Sequence, residues 1–368
     1  MGNKTRVLIA DDSALMRRTI RKLLEETGHI DVVSTARDGV DVLDKAERFQ
    51  PDVITLDINM PRMDGLTALK KLIRKNIAPV IMISSLTQEG ADTTIRALEY
   101  GAFDCVGKPE GTVTSNMASV ARELERKISS AVSSGIMRRI KGESSGRIKT
   151  TRIRTPSTQR ISTPTISKNV STQEKESSRS RFRAIAIGIS TGGPKTIFDV
   201  LPKIPKTLNA AIFLVQHMPV NFTATFAKRL DTNCPMNCVE ARSGMTVEPG
   251  TIYLGRGGYH LCVVKKRNGE VVIRTPSRPP HLFIPSVDIM MQSVLGVYGS
   301  DTIGILMTGM GDDGADSMVD IRKAGGMTIA ESEDSAIVWG MPGEAVARGG
   351  AQFVQPSWNI ASTLLNKL

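Results

Sequence analysis

The sequence predicts two α/β domains, each a doubly wound parallel sheet, joined by a polar linker. Three observations lead to this fold class. Short apolar runs alternate with amphipathic helical stretches in both halves of the chain. The length of 368 residues exceeds that of one ordinary domain. A segment rich in Ser, Thr and Arg separates the two patterns. We expect domains at residues 1–134 and 182–368, with a flexible basic linker at 135–181.

The net charge of +11 lies almost entirely in this linker. Residues 138–183 contain 13 Lys and Arg and 3 Glu, and therefore carry +10 of the total. No aromatic side chain occurs from residue 129 to residue 181, so a surface that stacks on bases is absent there and we expect no nucleic-acid partner. No apolar run approaches the ~18 residues of a membrane helix. The four cysteines show no CxxC spacing, and we expect a cytoplasmic protein without structural zinc or disulfides, not inserted in the membrane.

The first domain is predicted to contain five parallel strands. They are expected at residues 6–10, 31–36, 52–57, 79–84 and 103–106, with helices between them. Five such units favour a sheet of order 2-1-3-4-5, covered by helices on both faces.

Polar side chains collect at the carboxyl ends of these strands. Asp11 and Asp12 follow the first strand, Asp57 ends the third, Ser84 ends the fourth and Lys108 follows the fifth. Converging carboxylates repel one another unless a hard cation neutralises them, and oxygen ligands with a phosphoryl group are typical of Mg²⁺. Lys108 and the Ser84 hydroxyl can both contact phosphoryl oxygens.

The segments VLIADDS, DVITLDINMPRMDG, MISS and GKP give this domain its resemblance to the receiver domains of two-component response regulators. The resemblance implies a flavodoxin-like fold in which Asp57 accepts a phosphoryl group from a histidine kinase. It also implies that Asp11, Asp12, Asp57 and the Asn59 carbonyl hold Mg²⁺. Ser84 is then the switch hydroxyl and Lys108 the cation that senses the phosphoryl group.

The second domain repeats the alternation of strands and helices. Strands are expected at residues 184–187, 211–215, 302–307, 327–330 and 352–354. The runs 251–254, 261–264 and 271–274, broken by Gly-Gly and Asn-Gly, predict a small antiparallel hairpin region.

A serine lies at the first strand-to-helix turn of this domain. The run AIAIGISTGG places Ser190 after a buried strand, and a helical pattern is expected to resume through Thr196, Ile197, Val200 and Leu201. A serine at such a turn is exposed beside free helix N–H groups, which suits a nucleophile whose attack creates an oxyanion. We expect these donors near Thr191, with Met310 as a second.

A serine nucleophile needs a base and a carboxylate that orients it. Of the four histidines, His217 alone follows a strand of this domain at the carboxyl end, as Ser190 does; His29, His260 and His281 lie elsewhere. The acid is expected in the glycine-rich turn after residues 302–307, where Asp312 and Asp313 are both candidates.

Two other motifs overlap these residues. Residues 309–314 satisfy G-x-G-x-x-G, with Glu331 and Glu333 about 20 residues on, as in a dinucleotide site. Two aspartates would then face an anionic pyrophosphate, which disfavours that interpretation. Residues 188–192 satisfy the G-x-S-x-G of α/β-hydrolases, but the order Ser, His, Asp differs from theirs.

The segments GISTGGP, QHMP, MTGMGDDGA and VWGMP resemble the catalytic domain of the CheB family of chemotaxis protein-glutamate methylesterases. The resemblance implies a Rossmann-like domain with a Ser190–His217–Asp313 triad and no cofactor for ester hydrolysis. It implies demethylation of glutamyl methyl esters, and deamidation of glutamines, on methyl-accepting chemoreceptors. Gly255-Arg256-Gly257-Gly258 and Ile284 depart from the family pattern at the rim of the site.

Together the two resemblances predict a monomeric serine hydrolase that phosphorylation activates for sensory adaptation. Without phosphate, the receiver is expected to cover Ser190. The alternative is a receiver-regulated general serine esterase in a receptor pathway other than chemotaxis.

Overall fold

The N-terminal domain is a five-stranded parallel sheet covered by helices. The computed structural model describes residues 4–85, 87–108, 114–134 and 182–368. The strand order β2-β1-β3-β4-β5 confirms the prediction, and all neighbouring strands are parallel. The strands are β1 (Thr5–Ala10), β2 (Ile30–Ala36), β3 (Val53–Asp57), β4 (Val80–Ser85) and β5 (Asp104–Lys108). The predicted linker, 135–181, lies outside the described residues.

Four helices of this domain begin at described side-chain caps. Ser13, Asp38, Asp64 and Thr87 each accept a hydrogen bond from a main-chain N–H of the first turn. These caps place the helix starts at the carboxyl edge of the sheet, where the polar residues collect. The helices are α1 (Ala14–Glu25), α2 (Gly39–Phe49), α3 (Gly65–Lys75), α4 (Gln88–Tyr100) and α5 (Thr114–Ser133).

The C-terminal domain is built on a seven-stranded parallel sheet of order β14-β13-β12-β6-β7-β9-β8. The adjacent strands β6 and β7, at the middle of the sheet, are buried along nearly their whole length because helices cover both faces of the sheet. The strands are β6 (Arg183–Ile189), β7 (Ala210–Gln216), β8 (Asn237–Glu240), β9 (Thr251–Leu254), β12 (Thr302–Leu306), β13 (Met327–Glu331) and β14 (Phe353–Gln355). The helices are α6 (Gly193–Thr196), α7 (Val220–Asn233), α8 (Val287–Tyr298), α9 (Ala315–Lys323), α10 (Met341–Ala347) and α11 (Ser357–Leu365).

The predicted hairpin region is smaller than expected. Only β10 (Cys262–Lys265) and β11 (Val271–Arg274) pair antiparallel. The run 251–254, assigned to the hairpin region, instead joins the main sheet as β9, parallel to β7 and to the unpredicted strand β8. Its side chains are nearly all buried, so the apolar run marks a covered strand rather than one side of an exposed hairpin.

The helix after Ser190 is also shorter than its pattern predicts. One α-helical turn, α6, is followed by two 3₁₀ turns, at Ile197–Asp199 and Leu201–Lys203. Pro202 has no N–H to donate to the Phe198 carbonyl, so an α-helix extended through this position would lack a hydrogen bond. The apolar residues of the pattern, Ile197, Val200 and Leu201, are nevertheless fully buried.

The two domains pack against each other through α4, β5 and α5 of the first. Glu99 of α4 accepts two hydrogen bonds from the Arg229 guanidinium of α7, at 2.7 and 2.8 Å. Phe103 and Val338 belong to one apolar cluster that spans the two domains. Across the described ranges, no helix is both long and apolar enough to span a membrane.

Replacing Phe213 by alanine is predicted to destabilise the C-terminal domain by about 3–5 kcal/mol. This β7 side chain is fully buried and stacks on Tyr253 at 5.8 Å. Both tryptophans of the chain, Trp339 and Trp358, lie in this domain, so tryptophan fluorescence during urea titration reports on its unfolding. The control is Val264→Ala on the hairpin, where the side chain is 44% exposed. Equal midpoints for the two variants would contradict the predicted core.

Candidate active site

Ser190 lies immediately after β6, in a turn held by main-chain hydrogen bonds. Its N–H donates to the Thr308 carbonyl at 2.9 Å, and its own carbonyl accepts from the Gly193 N–H at 2.8 Å. Gly192 adopts φ +79°, and a Cβ there would lie 2.4 Å from the Ile337 side chain. The tight turn therefore requires this glycine, and it leaves Ser190 only 7% exposed at the base of a cleft.

His217 reaches Ser190 from the end of the neighbouring strand, β7. The imidazole Nδ1 lies 3.1 Å from Ser190 Oγ. Gln216, which precedes it, donates from Nε2 to the carbonyls of both Ser190 and His217 at 3.0 Å. This buried amide ties the two strand ends together, so the register of adjacent parallel strands sets the distance between the nucleophile and the base.

Asp313 completes the arrangement on the far side of the imidazole. Its Oδ2 lies 2.8 Å from His217 Nε2. With the Nε2 proton donated to this carboxylate, the neutral ring presents the lone pair of Nδ1 to the Ser190 hydroxyl. The three side chains can therefore pass a proton from serine to histidine.

The start of α8 keeps the Asp313 carboxylate ionised. The main-chain N–H groups of Val287 and Asp288 donate to it at 2.7 and 3.0 Å, and the Ser286 hydroxyl donates at 2.8 Å. Burial by itself would raise the pKa of Asp313, but His217 and these donors outweigh it and lower the pKa to about 2.

Of the two adjacent acids, Asp312 points away from the cleft. Its carboxylate accepts from Arg348 Nη2 at 2.6 Å, and its side chain is 62% exposed. Gly314, at φ +99°, then turns the chain into α9. Of the two acids, Asp313 is therefore the one that the structure brings together with Ser190 and His217.

The expected oxyanion donors also border the cleft. Thr191 and Met310 line a cavity of about 300 Å³ together with Ser190 and His217. Within the described residues, the main-chain N–H groups of Thr191 and Met310 have no hydrogen-bond acceptor. Both can therefore donate to a negatively charged oxygen bound beside Ser190.

Sequence reasoning misses two side chains that fix the histidine and the acid. Phe283 stacks on the His217 ring with centroids 4.2 Å apart and planes 8° apart. Ser286 caps α8 and bonds Asp313, as described above. Its N–H donates to Nδ1 of the fully buried His260, whose Nε2 bonds the Pro279 carbonyl. His260 therefore supports the site from behind, while the exposed His29 and His281 lie outside it.

The departures at Gly255 to Gly258 have a steric basis. A Cβ at Gly257 would lie 2.6 Å from Val220 Cα, and Gly258 adopts φ +81°. The Gly258 N–H donates to the carbonyl of Ile284, which itself lines the cavity. The unusual sequence at the rim therefore allows a close approach of this loop to the start of α7.

A second polar site lies at the carboxyl edge of the N-terminal sheet. Asp11, Asp12 and Asp57 offer carboxylate oxygens that all lie within 4.8 Å of one another. Lys108 Nζ lies 2.9 Å from carboxylate oxygens of both Asp11 and Asp57. Hard oxygen donors gathered in this way fit a divalent cation such as Mg²⁺.

The other residues predicted for this site lie at the same edge of the sheet as Asp57. Burial raises the pKa of the Asp57 carboxyl, although the nearby Lys108 ammonium opposes the shift. Ser84 is fully buried beside it in the sheet, with its hydroxyl 3.2–3.3 Å from the carbonyls of Ser85 and Gly90. Asn59 lies in the loop after β3.

The N-terminal domain covers the cleft of the C-terminal domain. The Thr191 hydroxyl, next to the nucleophile, donates to the Asp104 carboxylate at 2.5 Å. Lys127 of α5 holds the same carboxylate at 2.9 Å. The Arg126 guanidinium lies 5.5 Å from the centroid of Phe283, the ring stacked on His217. Residues of both domains therefore line the cavity above Ser190.

Comparison with protein families gives two matches along the chain. Residues 185–364 match the CheB methylesterase family, and residues 7–115 match the response regulator receiver domain. The solved CheB methylesterase catalytic domain of Thermotoga maritima is 34% identical, with a TM-score of 0.50. The match covers 51% of this chain and 100% of that one.

Curated relatives match over nearly the whole chain. A protein-glutamate methylesterase/protein-glutamine glutaminase of Syntrophomonas wolfei is 54% identical, with 98% of each chain covered. A relative of the same name from Caldanaerobacter subterraneus is 45% identical, with 100% of this chain and 98% of that one covered. The chain therefore belongs to the CheB methylesterase family and combines its catalytic domain with an N-terminal response-regulator receiver domain.

Proposed function

We propose that this chain is a phosphorylation-activated serine hydrolase that demethylates glutamyl methyl esters on methyl-accepting chemoreceptors and deamidates glutamines there. The observation that carries the proposal is the continuous hydrogen-bonded arrangement of Ser190, His217 and Asp313 in one buried cleft. The names of the full-length relatives support this substrate class over a general serine esterase. The histidine kinase of the same pathway is the proposed phosphodonor, and the enzyme acts as a cytoplasmic monomer.

The reaction begins with transfer of the Ser190 proton to His217 Nδ1. Ser190 Oγ bonds to the ester carbonyl carbon, and the carbonyl oxygen becomes an oxyanion. The intermediate collapses as the C–O bond to the methoxy group breaks, and His217 protonates the departing methanol. Water, deprotonated by His217, then cleaves the acyl-enzyme and releases the glutamate carboxylate and free Ser190. A glutamine side chain follows the same course with ammonia as the leaving group.

The Thr191 and Met310 N–H groups are the proposed donors to the oxyanion. A preorganised donor of this kind typically contributes about 3 kcal/mol to transition-state stabilisation. Asp313 contributes by stabilising the imidazolium that forms when His217 accepts the proton. Its low pKa keeps it charged throughout the reaction.

Regulation begins at Asp57, which accepts the phosphoryl group from a kinase histidine. Asp11, Asp12, Asp57 and the Asn59 carbonyl are the proposed ligands of Mg²⁺, which neutralises the charge of the transferring group when bound. Lys108 and Ser84 are proposed to contact the phosphoryl oxygens. In the unphosphorylated state the receiver covers Ser190 through Asp104, Arg126 and Lys127, and phosphorylation shifts the population towards an uncovered state. We propose residues 1–134 and 182–368 as the two units, with 135–181 as the linker that permits this movement.

Replacing Ser190 by alanine is predicted to abolish methanol release from methylated receptor membranes, because it removes the hydroxyl that is hydrogen-bonded to His217 and proposed to form the acyl-enzyme. Phosphorylation of Asp57 by a small phosphodonor with Mg²⁺ should remain unchanged, and it serves as the control for folding. Turnover retained by the Ser190→Ala protein would contradict the assignment of the nucleophile.

The adjacent acids provide a matched pair of variants. Asp313→Asn is predicted to lower kcat by roughly 10⁴, because an amide can donate to Nε2 and favour the tautomer that lacks a free Nδ1 lone pair. Asp312→Asn, which alters only a surface pair with Arg348, should leave kcat within about twofold. Steady-state kinetics of the phosphorylated enzymes decide between them, and equal losses would show that the assignment of Asp313 is wrong.

Removal of residues 1–181 is predicted to give an enzyme that is faster than the unphosphorylated full-length chain. Asp104→Ala in the full chain should raise the unphosphorylated rate roughly tenfold, because a hydrogen bond to a charged group typically contributes about 1.5–3 kcal/mol. Asp31→Ala is the matched control, since β2 lies at the opposite edge of the receiver sheet. Truncated enzyme no faster than unphosphorylated full-length enzyme would rule out inhibition by the receiver.

A further inference from the structure

Glu331 is a fully buried carboxylate that the triad does not use. It ends β13, and its side chain is 0% exposed. Its Oε2 accepts the main-chain N–H of Thr308 at 2.8 Å, and its Oε1 accepts the Ser335 hydroxyl at 2.7 Å. The disfavoured dinucleotide motif placed Glu331 among two candidate acids, but its carboxylate bonds groups inside the C-terminal domain.

Thr308, whose N–H donates to Glu331, forms two hydrogen bonds with the turn that contains Ser190 and Thr191. The Thr308 carbonyl accepts the Ser190 N–H at 2.9 Å, and its hydroxyl donates to the Thr191 carbonyl at 2.8 Å. These bonds lie on either side of the peptide that joins Ser190 to Thr191. The N–H of that peptide is the proposed oxyanion donor, so the position of Thr308 fixes the direction in which it points.

Thr308 also leads directly to the second proposed donor. Gly309 follows it, and the Gly309 N–H donates to the Val338 carbonyl at 3.0 Å, which fixes the chain just before Met310. The Thr308 hydroxyl accepts from the Val338 N–H at 2.9 Å. One residue thus connects both proposed oxyanion donors to the end of β13.

Burying a carboxylate is energetically unfavourable unless hydrogen bonds compensate for the lost hydration. Burial raises the pKa of Glu331 to about 7, although the bonds from Ser335 and Thr308 oppose the shift. Asp199 adds a further unfavourable charge. Asp199 is itself held by the Ser357 hydroxyl at 2.5 Å, and the Ser357 N–H donates to the Ser335 hydroxyl at 2.9 Å. Glu331 is therefore part of a hydrogen-bonded network that includes Thr308, Ser335 and Ser357.

We propose that Glu331 is a positioning residue for the oxyanion site, acting through Thr308 on the N–H groups of Thr191 and Met310. The inference rests on the proposed esterase function. Glu331 does not contact the substrate, so its effect falls on stabilisation of the transition state rather than on substrate binding.

Three variants of the phosphorylated full-length enzyme test this role. Glu331→Ala removes the acceptor for the Thr308 N–H and is expected to lower kcat roughly tenfold to a hundredfold, with KM within about twofold. Glu331→Gln keeps a carbonyl oxygen for Thr308 and is expected to restore kcat to within about threefold of the parent. Asp334→Ala, an exposed acid in the following turn, is the control that should leave both constants unchanged.

Rates are expressed per folded molecule, with the folded fraction taken from tryptophan fluorescence. Trp339 is a suitable reporter because its Nε1 donates to the Glu331 main-chain carbonyl, which every variant retains. A loss of activity that follows the folded fraction, an unchanged kcat in Glu331→Ala, or a Gln variant as impaired as the Ala variant would each overturn the proposal. Turnover retained by Ser190→Ala would contradict the proposed function itself. If Ser190→Ala is inactive while Glu331→Ala keeps the kcat of the parent enzyme, only the role proposed for Glu331 is wrong.

Discussion

The hydrogen bond between His217 and Asp313 depends on a carboxylate that stays ionised inside the protein. Burial opposes this charge, and the first turn of α8 supplies the compensation through two main-chain N–H groups and the Ser286 hydroxyl. A helix N-terminus offers such donors at no cost to its own internal hydrogen bonds, and its dipole favours negative charge. Asp313 is thus stabilised by an element that begins only 26 residues before it in the chain.

Both candidate sites lie at the carboxyl edge of a parallel sheet, and one geometric rule explains this. Parallel strands direct all their carboxyl ends to one edge of a sheet, so residues far apart in sequence meet there. In the receiver this edge gathers Asp11, Asp57 and Lys108, and in the catalytic domain it gathers Ser190, His217 and Thr308. The chemistry differs because three carboxylates and a lysine suit a cation and a phosphoryl group. A serine and an imidazole with free N–H donors instead suit acyl transfer.

The same rule explains which strands and site residues can be predicted from the sequence alone. Buried parallel strands are continuous apolar runs, so the order of the N-terminal sheet and the neighbouring positions of Ser190 and His217 can be predicted. The four-residue strand β8 carries too few apolar residues to be recognised, and β9 looks the same whether it joins a hairpin or the main sheet. The choice between Asp312 and Asp313 depends on one left-handed glycine and on the start of α8. Phe283 gives no local signal, and Glu331 is singled out only by a motif for a different kind of site, because the contacts of both side chains form only in the folded chain.

Strand β5 connects the acidic site of the receiver domain to the cleft of the C-terminal domain. Its last residue, Lys108, bonds Asp57, and its first residue, Asp104, bonds Thr191 beside the nucleophile. A strand of five residues spans only about 13 Å and is stiffened by its pairing with β4. Under the proposed regulation, a shift of Lys108 towards a phosphoryl group on Asp57 would be transmitted along this strand to Asp104. Moving a two-state population from 1:99 to 99:1 requires about 5.5 kcal/mol, which is the size of two or three charged hydrogen bonds. The hydrogen bond from Thr191 to the Asp104 carboxylate is of this kind, whereas the half-exposed pair of Glu99 with Arg229 contributes about 0–1 kcal/mol. These two contacts therefore supply only part of that free energy, and the apolar cluster that contains Phe103 and Val338 adds to it.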